Sequence, residues 1–185
     1  MDQTSVRVWT KQSAVVWDIL QREGIYHARR ADILRTEEAA LIGTAYDWLA
    51  QNTPGAGAKP KDAEYPIWLS FSRAAAMLPT PGTVVMELAV DPESITRINI
   101  AKWGAILNYS YIPKDPTDAR RHQALLREYG TGDARAVMTP FFPQIRREIT
   151  DSWKRLFDDS IQLGSPACYG NIWEVRREWI QQIIQ

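Results

Sequence analysis

Two glutamates occur inside apolar, strand-like stretches, where a carboxylate can take part in chemistry. Glu87 lies in VVMELAV and Glu174 lies in NIWEVRR. A carboxylate in such a stretch either points outward as the polar half of the alternation or lines a cleft, where burial and a charged partner shift its pKa. Strand alternation puts Glu87 on the face opposite Met86, which favours the outward position. For Glu174 both positions remain open.

Arginine is the second group of interest, because it occurs in four adjacent pairs. A guanidinium presents a planar fork of donors that matches phosphate and carboxylate oxygens. The pairs either converge on a phosphate-bearing ligand or lie in solvent at the ends of four elements, and we expect the second arrangement. The pairs are Arg29 with Arg30, Arg120 with Arg121, Arg146 with Arg147, and Arg176 with Arg177.

Histidine and cysteine are too few to suggest a metal site. The chain contains His27, His122 and Cys168, and 94 residues separate the two histidines. Because a zinc site needs three or four such ligands, no metal is expected. His122 lies in the charged run DARRHQ and is predicted to occupy a solvated helix face, whereas His27 and Cys168 are predicted to be structural. Glycine-rich phosphate loops, HExxH and GxSxG are absent from the sequence.

The charge balance argues against several classes of partner. Twenty-two Lys and Arg residues balance twenty-two Asp and Glu residues, so no net field attracts the chain to nucleic acid or anionic lipid. A chain of 185 residues, 45% of them apolar, is predicted to form a single globular domain over residues 1–185. No signal peptide or bilayer-spanning run is recognisable, which predicts a cytoplasmic location and no membrane partner.

The N-terminal elements are predicted from alternation and capping. SVRVWT alternates apolar with polar residues and predicts a strand at residues 5–10. Ser13 is a suitable N-cap for a one-faced helix that ends at Gly24, and residues 25–28 have strand content.

The next helix is predicted to begin at Thr36, with Glu37 and Glu38 in its first turn, and to end near residue 51. Residues 52–64, NTPGAGAKPKDAE, are predicted to form an exposed flexible loop. The other predicted elements are strands at 65–72, 83–90, 95–98 and 169–175, helices at 101–107, 115–129 and 143–157, and a helical turn over the last residues.

Strands and helices alternate too irregularly for a doubly wound sheet. The predicted class is therefore α+β, with a small mixed or split central β-sheet and flanking helices. The strand at 83–90 has the clearest alternation in the chain. Its predicted core face consists of Val84, Met86, Leu88 and Val90.

Four sets of stretches follow in order over most of the chain: WTKQSAVVWDILQREGIY, AYDWLAQ with YPIW, VMELAVDPE through WGAILN, and SWKRLFD with IWEVRREWI. In these stretches the sequence resembles a bacterial family of conserved cytosolic domains of unknown function. The resemblance implies a family relationship but no particular reaction.

Along the chain, a first strand that ends in polar residues precedes a helix closed by glycine, a serine-bearing middle strand and a late strand with a glutamate. This order is similar to that of ADP-ribosyltransferase-like domains. Such domains bind NAD in a cleft between two half-sheets, and a residue of the first strand holds the dinucleotide. The resemblance implies that Arg7, or alternatively Thr10 and Gln12, has this role. The chain lacks the first-strand histidine of that family.

The resemblance implies further roles in the middle and at the end of the chain. Ser70 would support catalysis and Ser72 the cofactor, while Trp68 or Tyr26 would stack on nicotinamide. Glu174 would activate the acceptor and stabilise the cationic ribose. Ile172 occupies the place of the companion Glu or Gln of the family.

We therefore expect an NAD-dependent mono-ADP-ribosyltransferase-like enzyme with NAD as cofactor. Its acceptor is unknown and would be a protein or a nucleic acid. The alternative is a catalytically silent nucleotide- or protein-binding module of the same fold, which the missing histidine and the missing companion carboxylate favour.

Overall fold

The computed structural model of the chain describes residues 5–33 and 39–184. The predicted helix start at Thr36, with Glu37 and Glu38, lies outside the described residues. Contacts within the chain divide it into two compact units, the first comprising Met1–Arg97 with Cys168–Gln185 and the second Ile98–Ala167. The prediction of one globular domain over residues 1–185 stays a prediction.

The largest sheet of the first unit has three antiparallel strands. Their order is β1 (Val6–Ser13), β4 (Thr83–Val90) and β8 (Ile180–Ile184). β4 has the predicted boundaries, and β1 extends three residues beyond its predicted end. The predicted core face of β4 is confirmed, since its members are at most 3% exposed: Val84, Met86, Leu88 and Val90.

The C-terminal segment differs from its prediction. Its apolar spacing predicts a helical turn, but a 3-10 helix at Arg177–Trp179 leads into the strand β8, in which Ile183 pairs with Met86. The prediction of a terminal helical turn is therefore wrong. The same spacing fits either structure locally, and β-branched isoleucines beside the unpaired edge of β4 favour the strand.

Two further sheets are smaller. One pairs β2 (Ile25–Tyr26) with β7 (Val175–Arg176) in antiparallel fashion. The other has the strand order β3 (Ile67–Leu69), β6 (Cys168–Ile172) and β5 (Thr96–Asn99). The class is α+β, as predicted, and the strands form three small sheets instead of the predicted mixed or split central sheet.

Isolated bridges connect these sheets. Trp9 on β1 and Ser70, directly after β3, exchange two backbone hydrogen bonds of 2.9 and 2.7 Å. A second bridge joins Ala28, after β2, to Tyr65, before β3. The first bridge therefore links the two three-stranded sheets edge to edge through one residue pair.

Helix α1 (Ala14–Glu23) begins and ends at the predicted caps. The Ser13 side chain accepts from the Val15 amide at 3.2 Å, and Gly24, with a φ of 79°, donates its amide to the Leu20 carbonyl at 3.0 Å. Leu20 is fully buried and packs with the apolar face of the sheet. Capping at both ends and burial of one face explain why the sequence predicts this helix so closely.

Two more helices belong to the first unit, α2 (Arg30–Ile33) and α3 (Ala39–Asn52). The predicted loop at 52–64 follows α3 and contains a 3-10 helix at Ala56–Ala58. Thr53 and Ala63 are buried, so this stretch is not exposed throughout as predicted. Its flexibility stays a prediction.

Four α-helices form most of the described second unit. They are α4 (Ile100–Leu107), α5 (Pro116–Glu128), α6 (Asp133–Met138) and α7 (Pro143–Ser152), the last continued by a 3-10 helix at Trp153–Phe157. Three match predicted helices, and α6 is not predicted. Among the described residues, no helix combines the length and apolarity that crossing a bilayer needs.

Candidate functional site

One face of the first unit's strands gathers tryptophans and polar side chains. Residues directly opposite each other in an antiparallel pair share a face. Trp9 is opposite both Glu87 and Ser70, and Trp68, two residues before Ser70, is opposite Asn171. These five residues therefore share the face turned away from the apolar core, and we call them the indole face.

Two polar atoms of the indole face are buried and have no hydrogen-bond partner among the described residues. They are the indole Nε1 of Trp9 and the amide Oδ1 of Asn171, a residue that is 2% exposed. Leaving such a group unbonded costs roughly 1–3 kcal/mol. One atom is a donor and the other is an acceptor, so each lacks a partner of the opposite kind.

Three predicted site residues lie at this face. Trp68 makes edge-on ring contacts with Tyr46 and Tyr169, at centroid distances of 6.4 and 6.2 Å. Ser70 is buried, and its hydroxyl donates to the Ala75 carbonyl at 3.3 Å. These contacts hold the ring of Trp68 and the hydroxyl of Ser70 on the same face, two positions apart in the sequence.

Arg7 is the third. Its Nη1 lies 3.3 Å from Oε1 of Glu87, and the two side chains are 75% and 14% exposed. Glu87 is on the face opposite Met86, as alternation predicts. The pair gives the indole face a cationic group at its solvent side.

Four other predicted site residues lie elsewhere in the first unit. Thr10 is opposite Met86 on the core face, is 2% exposed, and accepts a hydrogen bond of 2.8 Å from Gln12. Tyr26 is 5% exposed within the core. Ser72 is exposed, and its hydroxyl accepts from the Ala75 amide at 3.2 Å. Their cofactor-binding roles stay predictions.

Glu174 precedes β7 and contacts two side chains, those of His27 and Arg176. Its Oε2 lies 3.3 Å from Nε2 of His27, and its Oε1 accepts from Nε of Arg176 at 2.6 Å. The bond to Glu174 raises the pKa of Arg176. The glutamate side chain is 20% exposed, so it is partly buried rather than fully outward. His27 is separated from it by 147 positions, and no local pattern predicts their contact.

The second unit holds a separate buried charge cluster, centred on Asp118. This carboxylate is 5% exposed and accepts from the Tyr111 hydroxyl at 2.9 Å, Arg121 Nη2 at 3.0 Å, Arg155 Nη1 at 3.1 Å and the Lys114 amide at 3.0 Å. Burial raises the pKa of Asp118, but these donors outweigh burial and hold the pKa at about 2. Asp118 therefore stays ionised and fixes its partners.

His122 belongs to the same cluster, and its predicted solvated position is wrong. The residue is 3% exposed, with Nε2 at 2.7 Å from Asp133 Oδ1 and Nδ1 at 3.0 Å from Glu148 Oε1. Burial lowers the pKa of His122, whereas the two carboxylates raise it and dominate. Both partners come from later helices, so the charged run around His122 does not reveal its burial.

Metal ligands do not cluster in the part of the chain that the structure describes. There, no three His, Cys, Asp or Glu side chains are arranged to hold a metal ion.

Two residues of the indole face, Trp9 and Asn171, are not predicted from the sequence. Their place on this face depends on strand pairing and not on a sequence motif.

A family described as a domain of unknown function, DUF3841, matches residues 7–181. The chain belongs to this family. Membership confirms the predicted relationship to domains of unknown function, and the matched residues include every predicted site residue of this DUF3841 domain, from Arg7 to Glu174. Comparison with curated proteins and with solved structures finds no match.

Proposed function

We propose that the chain is an NAD-dependent mono-ADP-ribosyltransferase-like enzyme that binds NAD at the indole face. The observation that carries the proposal is the pair of buried atoms without partners, Nε1 of Trp9 and Oδ1 of Asn171. A carboxamide, such as that of nicotinamide, offers one carbonyl acceptor and one NH2 donor. It therefore offers the kind of partner that each atom lacks, whereas a purely apolar ligand offers neither.

Other residues of the face suit the remaining parts of NAD. The Trp68 ring provides an aromatic surface for a planar heterocycle, and the Ser70 hydroxyl adds a polar group. Arg7 is exposed beyond its contact with Glu87, and its guanidinium suits a pyrophosphate. NAD would supply an ADP-ribosyl group with nicotinamide as the leaving group.

Glu174 has the electrostatic role in this proposal. A carboxylate fixed by His27 and Arg176 is preorganised, so it needs little rearrangement to stabilise positive charge on ribose. The acceptor is a nucleophile of a protein or nucleic acid. The roles of Glu174 and of the acceptor rest on the resemblance to ADP-ribosyltransferase-like domains.

The first experiment measures nicotinamide release from NAD by wild type and by Glu174→Gln. We expect turnover to fall at least about a hundredfold, in line with the loss of a preorganised electrostatic group, while NAD binding changes little. Glu178→Gln is the matched control. It removes the same charge from an exposed side chain that lies four residues later in the sequence. Equal turnover in wild type and Glu174→Gln contradicts the enzymatic role.

The second experiment tests the binding site through Asn171→Leu, which keeps the shape and removes the buried amide. Without ligand, we expect little change in stability, because losing the unbonded Oδ1 is offset by losing the 3.1 Å bond from Nδ2 to the Gly170 carbonyl. NAD affinity, measured by calorimetry, should fall about tenfold. Unchanged NAD affinity would show that NAD does not bind to Asn171 at the indole face.

The alternative function is a catalytically silent nucleotide-binding module. The contacts of Glu174 with His27 and Arg176 favour it, since they already occupy both oxygens of the carboxylate. This alternative predicts that NAD or another nucleotide raises the melting temperature without being cleaved. At 100 times its dissociation constant a ligand stabilises by about 2.7 kcal/mol, which a thermal-shift assay detects readily.

A further inference from the structure

The second unit contains a cleft of about 620 Å³ beside the Asp118 cluster. We propose that this cleft binds the phosphate group of a small phosphate ester. The cleft consists of residues of the second unit alone, so the inference does not rest on NAD binding by the first. Its lining residues that carry charge are Lys114, Asp118, Arg121, Arg147, Glu148, Asp151 and Arg155.

Two arginines of the cleft have donors to spare. Arg121 uses Nε and Nη2 for its bonds within the cluster, and Arg155 uses Nη1. Within the described part of the chain, Nη1 of Arg121 and both Nε and Nη2 of Arg155 have no recorded acceptor. The two side chains are 51% and 26% exposed, so an oxyanion in the cleft can reach these donors.

Asp118 holds both guanidiniums in place before any ligand arrives. Each arginine donates to its carboxylate, at 3.0 Å from Arg121 and 3.1 Å from Arg155. Side chains that are already ordered lose less conformational entropy when they bind, which favours affinity. Asp118 is thus a positioning residue for two cationic donors.

The rim adds two cations that are weakly engaged. Lys114 is exposed, and Arg147 is 86% exposed with its Nε 3.8 Å from Asp151. With Arg121 and Arg155 they make four cations against three carboxylates, and Glu148 is bonded to both Arg121 and His122. The lining therefore has a surplus of positive charge before ligand binding.

The donor arrangement favours phosphate over carboxylate. A carboxylate has two oxygens and is satisfied by one guanidinium fork, whereas a phosphate ester presents three charged or partly charged oxygens to several donors. The volume lies within the usual range of about 300–1,000 Å³ for small-molecule sites, so the cleft also has room for the organic part of the ester.

The test titrates the full chain with inorganic phosphate and follows binding by calorimetry, with chloride added to keep ionic strength constant. We expect saturable binding that weakens about tenfold in Lys114→Gln/Arg147→Gln. The matched control is Arg120→Gln/Arg146→Gln, which removes the same charge from arginines adjacent to Arg121 and Arg147 that do not line the cleft. This control should bind phosphate like wild type.

Three results would overturn the inference. One is a lack of saturable binding at millimolar phosphate, and another is an equal loss of affinity in the control, which would indicate general charge attraction. The third is equal binding of acetate and phosphate, which would assign the site to carboxylates. Unfolding curves of both double variants check that the fold is retained, since all four substituted side chains are exposed or partly exposed.

Discussion

Asp118 shows how one buried carboxylate can organise a whole surface. It accepts hydrogen bonds from a tyrosine, two arginines and a backbone amide, which come from separate stretches of the second unit. None of these partners is predictable from the sequence around Asp118 except Arg121, three residues later on the same helix. Its removal should therefore affect both the stability of the unit and the arginines that line the cleft.

Asp118→Asn should destabilise the chain by about 3 kcal/mol, because it takes from Arg155 its carboxylate partner and leaves Arg121 with Glu148 alone. Urea unfolding measures this difference. Asp151→Asn is the control, since its carboxylate is 58% exposed and its ion pairs are long, so we expect a change within about 0.5 kcal/mol. Similar effects of the two substitutions would mean that Asp118 is not a centre of stability.

His122 should make stability depend on pH. Its pKa in the folded chain is raised above the ordinary value of 6.5 by Asp133 and Glu148, against the effect of burial. Its stabilising contribution is therefore complete below pH 6.5 and is lost as the pH rises through the raised value. Urea unfolding of wild type between pH 6 and 9 should show this decline.

His122→Gln should flatten that pH dependence, whereas His27→Gln, which replaces the other histidine, should keep it. The comparison uses the slope of stability against pH and not its absolute value, because His122→Gln also removes buried bonds. A decline of equal steepness in all three proteins would assign the pH dependence to other groups.

At the scale of elements, prediction succeeded where local chemistry is sufficient. β4 alternates clearly from Met86 to Val90, and α1 has a serine at one end and a glycine at the other, so the sequence predicts both almost to the residue. The sequence predicts a helical turn for β8, because the spacing of its isoleucines fits a helix as well as a strand. Its structure is decided by β4, which is about 90 residues away in the chain.

Gly24→Ala tests how strongly the cap of α1 depends on glycine. The residue has a φ of 79°, and a Cβ there would have no atom within 4 Å, so the whole cost is conformational. We expect a loss of about 1 kcal/mol in urea unfolding. Gly57→Ala also meets no neighbour but needs no positive φ, and it should change stability by less than about 0.5 kcal/mol.

At the scale of the molecule, each unit carries a candidate site built from its own residues. The sequence predicts the α+β class, and two of its candidate site residues, Trp68 and Ser70, belong to the indole face, while Arg7 contacts that face through Glu87. It did not predict that Thr10 and Gln12 lie on the other face of β1, although the alternation that separates them from Arg7 is visible in the sequence. Asn171 and the Asp118 cluster were missed because they depend on pairing across long stretches of chain.

The bridge between Trp9 and Ser70 has a dynamic consequence. Two three-stranded sheets meet there through two hydrogen bonds, whereas β1 and β4 pair along eight residues. The bridge between Trp9 and Ser70 should therefore open in native-state fluctuations that leave both sheets intact. In hydrogen exchange, the amide protons of Trp9 and Ser70 should exchange together, and faster than that of Met86 in the centre of the sheet. A ligand that bridges the indole face should slow both protons at once.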